Sequence, residues 1–209
     1  KGVLTSDFFL DDKRFLGGIA GKPDADLEAA FTAAVQHSES LARRRLAENP
    51  RDPDALFALT LSSGIRADNA SLLEKRQLEG LGFLRDADRN AKALLAVAPD
   101  TDDAYLALGA ANYIIGCLPG YKRVFLRIGG VHGDRTVGMQ QLARAASGGH
   151  YLRPYAKLML ALTELREKNP AMARDELAQL ANEFPDNPLF ARELVKATAL
   201  AARTSSPGD

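Results

Sequence analysis

The chain has 209 residues, of which 46% are hydrophobic, so it is long and apolar enough for a folded core or a short array of repeats. Lys plus Arg number 27 and Asp plus Glu also number 27, and this zero balance gives no general attraction to nucleic acid. A single cysteine, Cys117, excludes an intrachain disulfide and a Cys-rich zinc site.

The first 25 residues carry a cluster of aromatic and aliphatic side chains. Phe8, Phe9, Leu10, Phe15 and Leu16 fall within it, and we expect residues 1–25 to form an arm that packs these side chains onto the first helices. The chain begins at Lys rather than Met, which is typical of a processed or trimmed product. No run of about 18 apolar residues predicts a transmembrane helix. The sequence leaves open whether the protein is exported, as to a periplasm, or cytoplasmic.

Proline residues divide the rest of the chain into helices. Pro50, Pro99 and Pro185 each follow an Ala/Leu-rich stretch and precede an acidic turn. Proline cannot continue a helix, whereas Asp or Asn caps the next one and a second proline fits its first turn. The pattern predicts a leading helix over residues 26–48 and a last helix over residues 188–202.

The clearest repeated unit spans residues 154–185. Apolar residues recur there at spacings of three and four, which predicts two amphipathic helices over residues 155–168 and 171–183, separated by Asn169-Pro170. The first helix contains a large-then-small pair, Leu160 and Ala161. The second has apolar residues at three packing positions: Ala173, Leu177 and Leu180.

This unit resembles the tetratricopeptide repeat (TPR) consensus, and Tyr105, Leu108 and Gly109 match the first helix of another unit upstream. The resemblance implies an all-α fold, an antiparallel helix-hairpin solenoid over residues 26–203 with a C-terminal tail over 204–209. It also places Gly109 where two helices touch. The prolines are too far apart for uniform repeats, so we expect lengthened or inserted helices around residues 65–84 and 113–134.

Residue types that carry catalysis are scattered. His37, His132 and His150 match no metal-binding spacing, and no histidine lies near Cys117 in sequence. The glycine-rich stretch over residues 129–135 lacks the pattern of a phosphate-binding loop, and we interpret it as a turn in which Asp134 or Thr136 caps a helix. The sequence therefore predicts a protein that is not an enzyme and that holds no metal or cofactor.

An apolar and basic insertion follows Gly116. Its candidate surface, the insertion patch, comprises Tyr121, Lys122, Arg123, Phe125 and Arg127. Such a segment is typical of binding to a membrane surface or an acidic partner, but we favour packing of its apolar face on the repeats with the cations in water. With Leu118-Pro119, Gly133-Asp134, Gly138, Leu142 and Gly149, this region also resembles the inclusion-body-clearance TPR family, which implies an adaptor role.

The TPR resemblance implies a groove lined by the first helix of each unit. Its predicted lining, the groove residues, comprises Phe57, Leu61, Leu106, Tyr113, Tyr155 and Leu158. This lining lacks the Lys, Arg and Asn residues of TPR domains that clamp a carboxylate, and an apolar groove suits a hydrophobic peptide or helix. The sequence thus predicts a scaffold that binds a protein or peptide segment, unless the insertion fills the groove. The alternative is a carrier of lipid or another hydrophobic ligand beneath residues 118–128. Neither the partner's identity nor the oligomeric state follows from the sequence.

Overall fold

A computed structural model describes residues 25–73, 76–118, 120 and 132–205, and every regular element within them is helical. The eight helices are α1 (Ala25–Glu48), α2 (Pro53–Asp68), α3 (Gln77–Val97), α4 (Ala104–Gly116), α5 (Arg135–Gly148), α6 (Arg153–Arg166), α7 (Pro170–Glu183) and α8 (Pro188–Ser205). The prediction of an all-α fold is confirmed for this part of the chain. The N-terminal arm before Ala25, the whole insertion patch and the tail from residue 206 lie outside the described residues.

Most helices begin where the prolines and acidic residues predict. Asp52 caps α2 by accepting a 3.0 Å hydrogen bond from the backbone N–H of Ala55, and Asp134 caps α5 by accepting one of 3.0 Å from Val137. Proline occupies the first turn of α2, α6 and α7, where no backbone N–H is needed. The predicted capping role of Asp134 is therefore confirmed.

The lengthening expected around residues 65–84 is present. Helix α2 has 16 residues and α3 has 21, against 14 in both α6 and α7. A π-helical turn, Asn69–Leu73, directly follows α2 and accommodates extra residues before the chain reverses. The second expected insertion, over residues 113–134, falls largely outside the described residues.

Each helix packs against the next one in the chain, from α1 through α8. Helix α4 also contacts α2, and its Leu106 shares a core cluster with Ala156 and Leu160 of α6. Helices α2, α4 and α6 thus form a contiguous row, which we call the α2–α4–α6 row. The connecting helices α3 and α5 pack against neighbouring members of this row.

Small residues fill many of the helix contacts. Ala87, Ala91 and Ala104 are fully buried, and Leu94 shares a core cluster with Ala91 and Ala104. The predicted packing residues Ala173, Leu177 and Leu180 of α7 are also buried, at 0%, 3% and 0% exposure. Alanine allows two helix backbones to approach closely, so burial here brings the helices together without large side chains.

Candidate functional site

Three of the six groove residues are in the protein interior. Leu106, Tyr113 and Leu158 are only 8%, 1% and 5% exposed, so they offer no surface to a partner. Phe57 and Leu61 are half-buried, and Tyr155 is 41% exposed. The structure therefore corrects the predicted lining: Leu106 packs in a cluster with Leu142 of α5 and Leu160 of α6, and Tyr113 lies against Gly138 of α5. Leu158 is covered from α7 and α8 by Leu180 and Phe190.

Tyr113 has a structural role that explains its burial. Its hydroxyl donates a 3.0 Å hydrogen bond to Glu167 Oε1, and an Arg135 guanidinium nitrogen lies 3.2 Å from the same oxygen. Burial raises the pKa of Tyr113, so the hydroxyl stays protonated and keeps donating. Burial likewise raises the pKa of the nearby Cys117 thiol, which leaves little reactive thiolate at neutral pH.

Helices α2 and α6 are joined by two contacts. The Tyr155 hydroxyl at the start of α6 donates a 2.6 Å hydrogen bond to Asp68 Oδ2 at the end of α2, although the two residues are 87 positions apart in sequence. The ring of Phe57, near the start of α2, lies with its centroid 5.8 Å from that of Tyr151, which precedes α6. Helix α4 contacts α2 and shares a core cluster with α6, so these two contacts bring α2 and the start of α6 together beside α4.

One face of α2 leads from the Phe57 contact to the Asp68 contact. Phe57, Leu61, Gly64 and Asp68 recur at spacings of four, three and four along α2, so they share one face of this helix. A Cβ built on Gly64 would meet no atom within 4 Å, so the middle of this face is open. We call the space between this face of α2 and Tyr151 and Tyr155 the recess.

The one carboxylate of the recess is electrostatically unusual. Burial raises the pKa of Asp68 to about 6, and the hydrogen bond from Tyr155 acts in the opposite direction. Burial, followed by the charge of Asp68, raises the pKa of Tyr155 well above its usual range. Among the described residues, Tyr155 is the only partner of Asp68. An ionised acid thus lies in a largely apolar recess without a cation beside it.

Sequence reasoning missed Gly64, Asp68 and Tyr151. The helical face that contains Phe57 and Leu61 continues to Gly64 and Asp68 by the same periodicity, which is a signal that was available. Tyr151 lies in the turn before α6, outside any periodic pattern. Its contact with Phe57 depends on how closely the start of α6 approaches α2, which a local pattern does not encode.

Other surfaces of the described helices give weaker candidates. A cleft between α3 and α4 is rich in charge, but Arg89 lies 2.8 Å from Asp86 and Lys92 lies 2.6 Å from Asp88, so these cations are already paired. All three histidines are exposed, on separate segments. Within the described ranges, no group of three or more acidic, His or Cys residues forms a potential metal site, and no helix has the length and apolarity needed to cross a membrane.

No protein-family model matches this chain, and no curated protein or solved structure matches it either. The TPR resemblance therefore remains a prediction from the sequence pattern.

Proposed function

We propose that this protein is a non-catalytic, TPR-like scaffold that binds a protein or peptide segment along the α2–α4–α6 row. The observation that carries the proposal is the double contact of α2 with the α6 region, through Asp68–Tyr155 and Phe57–Tyr151, while α4 touches both helices. These contacts support a concave surface formed by the three neighbouring helices. A TPR-like solenoid of helical hairpins accounts for both the curvature and the packing of consecutive helices.

The accessible side chains of this surface suit a protein segment. Phe57 and Leu61 are half-buried, and Tyr151 and Tyr155 are 70% and 41% exposed. Aromatic side chains contribute strongly to protein interfaces because they bury a large area and lose little conformational entropy. An apolar face of a helix, or alternate side chains of an extended segment, would bury these groups.

Selection from a random peptide library displayed on phage tests the proposal. Gly64→Leu places a large side chain in the recess, whereas Gly82→Leu adds the same side chain on α3, where a Cβ would also meet no atom within 4 Å. We expect peptides selected on the parent protein to bind Gly82→Leu unchanged and Gly64→Leu at least about tenfold more weakly, equivalent to about 1.4 kcal/mol.

Two results would contradict the scaffold function. One is failure to select any peptide whose affinity depends on Gly64. The other is stoichiometric lipid in native mass spectra of the parent protein that is lost in Gly64→Leu, which would favour the hydrophobic-ligand carrier instead.

A further inference from the structure

We propose that the recess receives a basic side chain, lysine or arginine, from an otherwise apolar bound segment, with Asp68 as its counter-ion. This inference rests on the proposed scaffold function and specifies the chemistry of the partner. The geometry that carries it is a carboxylate held in place by Tyr155, beside an open stretch of α2 at Gly64, with aromatic rings on either side.

The carboxylate retains capacity for a second partner. Tyr155 donates to Oδ2 at 2.6 Å, whereas Oδ1 accepts no hydrogen bond from any residue in the described ranges. A carboxylate has about four acceptor sites in total, so an ammonium or guanidinium group can bind while the Tyr155 contact persists. The hydrogen bond from Tyr155 fixes the orientation of the carboxylate before the partner arrives, which lowers the entropy lost on binding.

Two acids elsewhere in the described helices have stronger partners. Glu39 pairs with Arg43 and Arg66, and Asp103 accepts backbone N–H bonds from the turn before α6. Asp68 has one neutral hydroxyl within the described part of the chain. A basic side chain that binds here would give Asp68 a charged partner. This ion pair would be stronger than one at an open surface because less water screens the two charges.

A purely structural role for Asp68 does not explain why the side chain at this position is an acid. To hold α2 against α6, an asparagine would serve, since its carbonyl oxygen accepts from the Tyr155 hydroxyl and its burial costs less than that of a charge. Phe57 and Tyr155 border the same space, and an aromatic ring attracts a cation over its face but not a neutral or acidic group. The ionised acid and the aromatic walls together favour a basic side chain.

The test measures the coupling between Asp68 and the basic residue of the bound peptide. Peptides selected on the parent protein should carry Lys or Arg at one fixed place in an apolar pattern. Asp68→Asn should weaken their binding about tenfold or more, and replacing the peptide's lysine by norleucine should weaken binding to the parent by a similar factor. The same replacement should have no further effect on Asp68→Asn, as a double-mutant cycle requires of two groups that act together.

Matched variants separate this inference from the scaffold function. Asp54→Asn removes an acid from the same helix whose side chain is 79% exposed, outside the recess, and should leave binding unchanged. Asp68→Lys should bind a peptide with Glu at the fixed place better than the parent protein does. Peptides that depend on Gly64 but show no preference for a basic residue and no coupling to Asp68 would overturn this inference and leave the scaffold function standing. Absence of any Gly64-dependent peptide would overturn both.

Discussion

Gly109 of α4 and Gly138 of α5 lie directly against each other: a Cβ on either residue would come within 2.9 Å of the other's carbonyl oxygen. A Cβ on Gly109 would also lie 2.8 Å from the backbone nitrogen of Leu142. These neighbours are backbone atoms, which cannot move aside as a flexible side chain can. The sequence prediction that Gly109 lies at a helix contact is confirmed.

Replacing Gly109 should therefore destabilise the fold. We expect Gly109→Ala to lower the free energy of unfolding by about 1–3 kcal/mol through overpacking, even though alanine has the better helix propensity. Gly82→Ala is the matched control, because a Cβ there meets nothing within 4 Å, and it should stabilise by about 0.5–1 kcal/mol. Urea unfolding of both variants measures the difference. A stabilised Gly109→Ala would show that α4 and α5 do not pack as described.

Asp103 should contribute more to stability than an ordinary helix cap. Its carboxylate is 4% exposed and accepts backbone hydrogen bonds of 2.7–3.2 Å from His150, Tyr151 and Leu152. Asp103→Ala leaves these three donors without their buried acceptor. We expect a loss of about 2–4 kcal/mol in the free energy of unfolding, measured with urea.

Asp134, the exposed N-cap residue of α5, is the control for Asp103. Asp134→Ala removes one 3.0 Å bond to the N–H of Val137 and should cost about 1 kcal/mol. Equal losses for the two variants would mean that Asp103 acts only as a local cap and does not connect α4 to the turn before α6.

The pKa of Asp68 predicts a pH-dependent effect on stability. Its value is about 6 in the folded chain against an ordinary 3.8, so above pH 6 a charged side chain is buried, and below pH 3.8 the group is neutral in both folded and unfolded chains. The destabilising contribution of Asp68 is thus complete above pH 6 and disappears as the pH falls to 3.8. Tyr155, its contact, remains protonated throughout this range.

Asp68→Asn tests this effect because asparagine is neutral at every pH. Its melting temperature should exceed that of the parent protein at pH 7.5, by a margin that shrinks through pH 6 and vanishes near pH 4. Asp54→Asn, on the exposed side of α2, should show no such trend. A melting temperature for Asp68→Asn that is lowered by the same amount at both ends of the range would contradict the raised pKa.

Helix boundaries and packing faces could be read from the sequence because their signals are local. Pro53, Pro170 and Pro188 each begin a helix, and Ala173 and Leu177 recur at the spacing that buries them. The accessibility of the groove residues could not be read in this way. Whether Leu106 lies in a groove or in the core depends on how closely α6 approaches α4, which is decided by contacts far apart in sequence.

The residues of the recess, too, could be predicted from the sequence only in part. Half of it follows from the periodicity of α2, which places Gly64 and Asp68 on the face of Phe57. The other half consists of Tyr151 and Tyr155, which come from a distant part of the sequence. Tyr155, the hydrogen-bonding partner of Asp68, lies 87 positions after it. Only the approach of α6 and its preceding turn to α2 brings the two halves together.

Methyl NMR during titration with a selected peptide is the most direct test of the central claim that partners bind on the α2–α4–α6 row. We predict that the methyl resonances of Leu61 and of Ile65, a half-buried residue four positions further along α2, shift progressively with peptide concentration. Those of Met172 on α7 and Val195 on α8, which are 56% and 69% exposed, should remain unchanged. Shifts centred on Met172 or Val195, with Leu61 and Ile65 unaffected, would contradict the account.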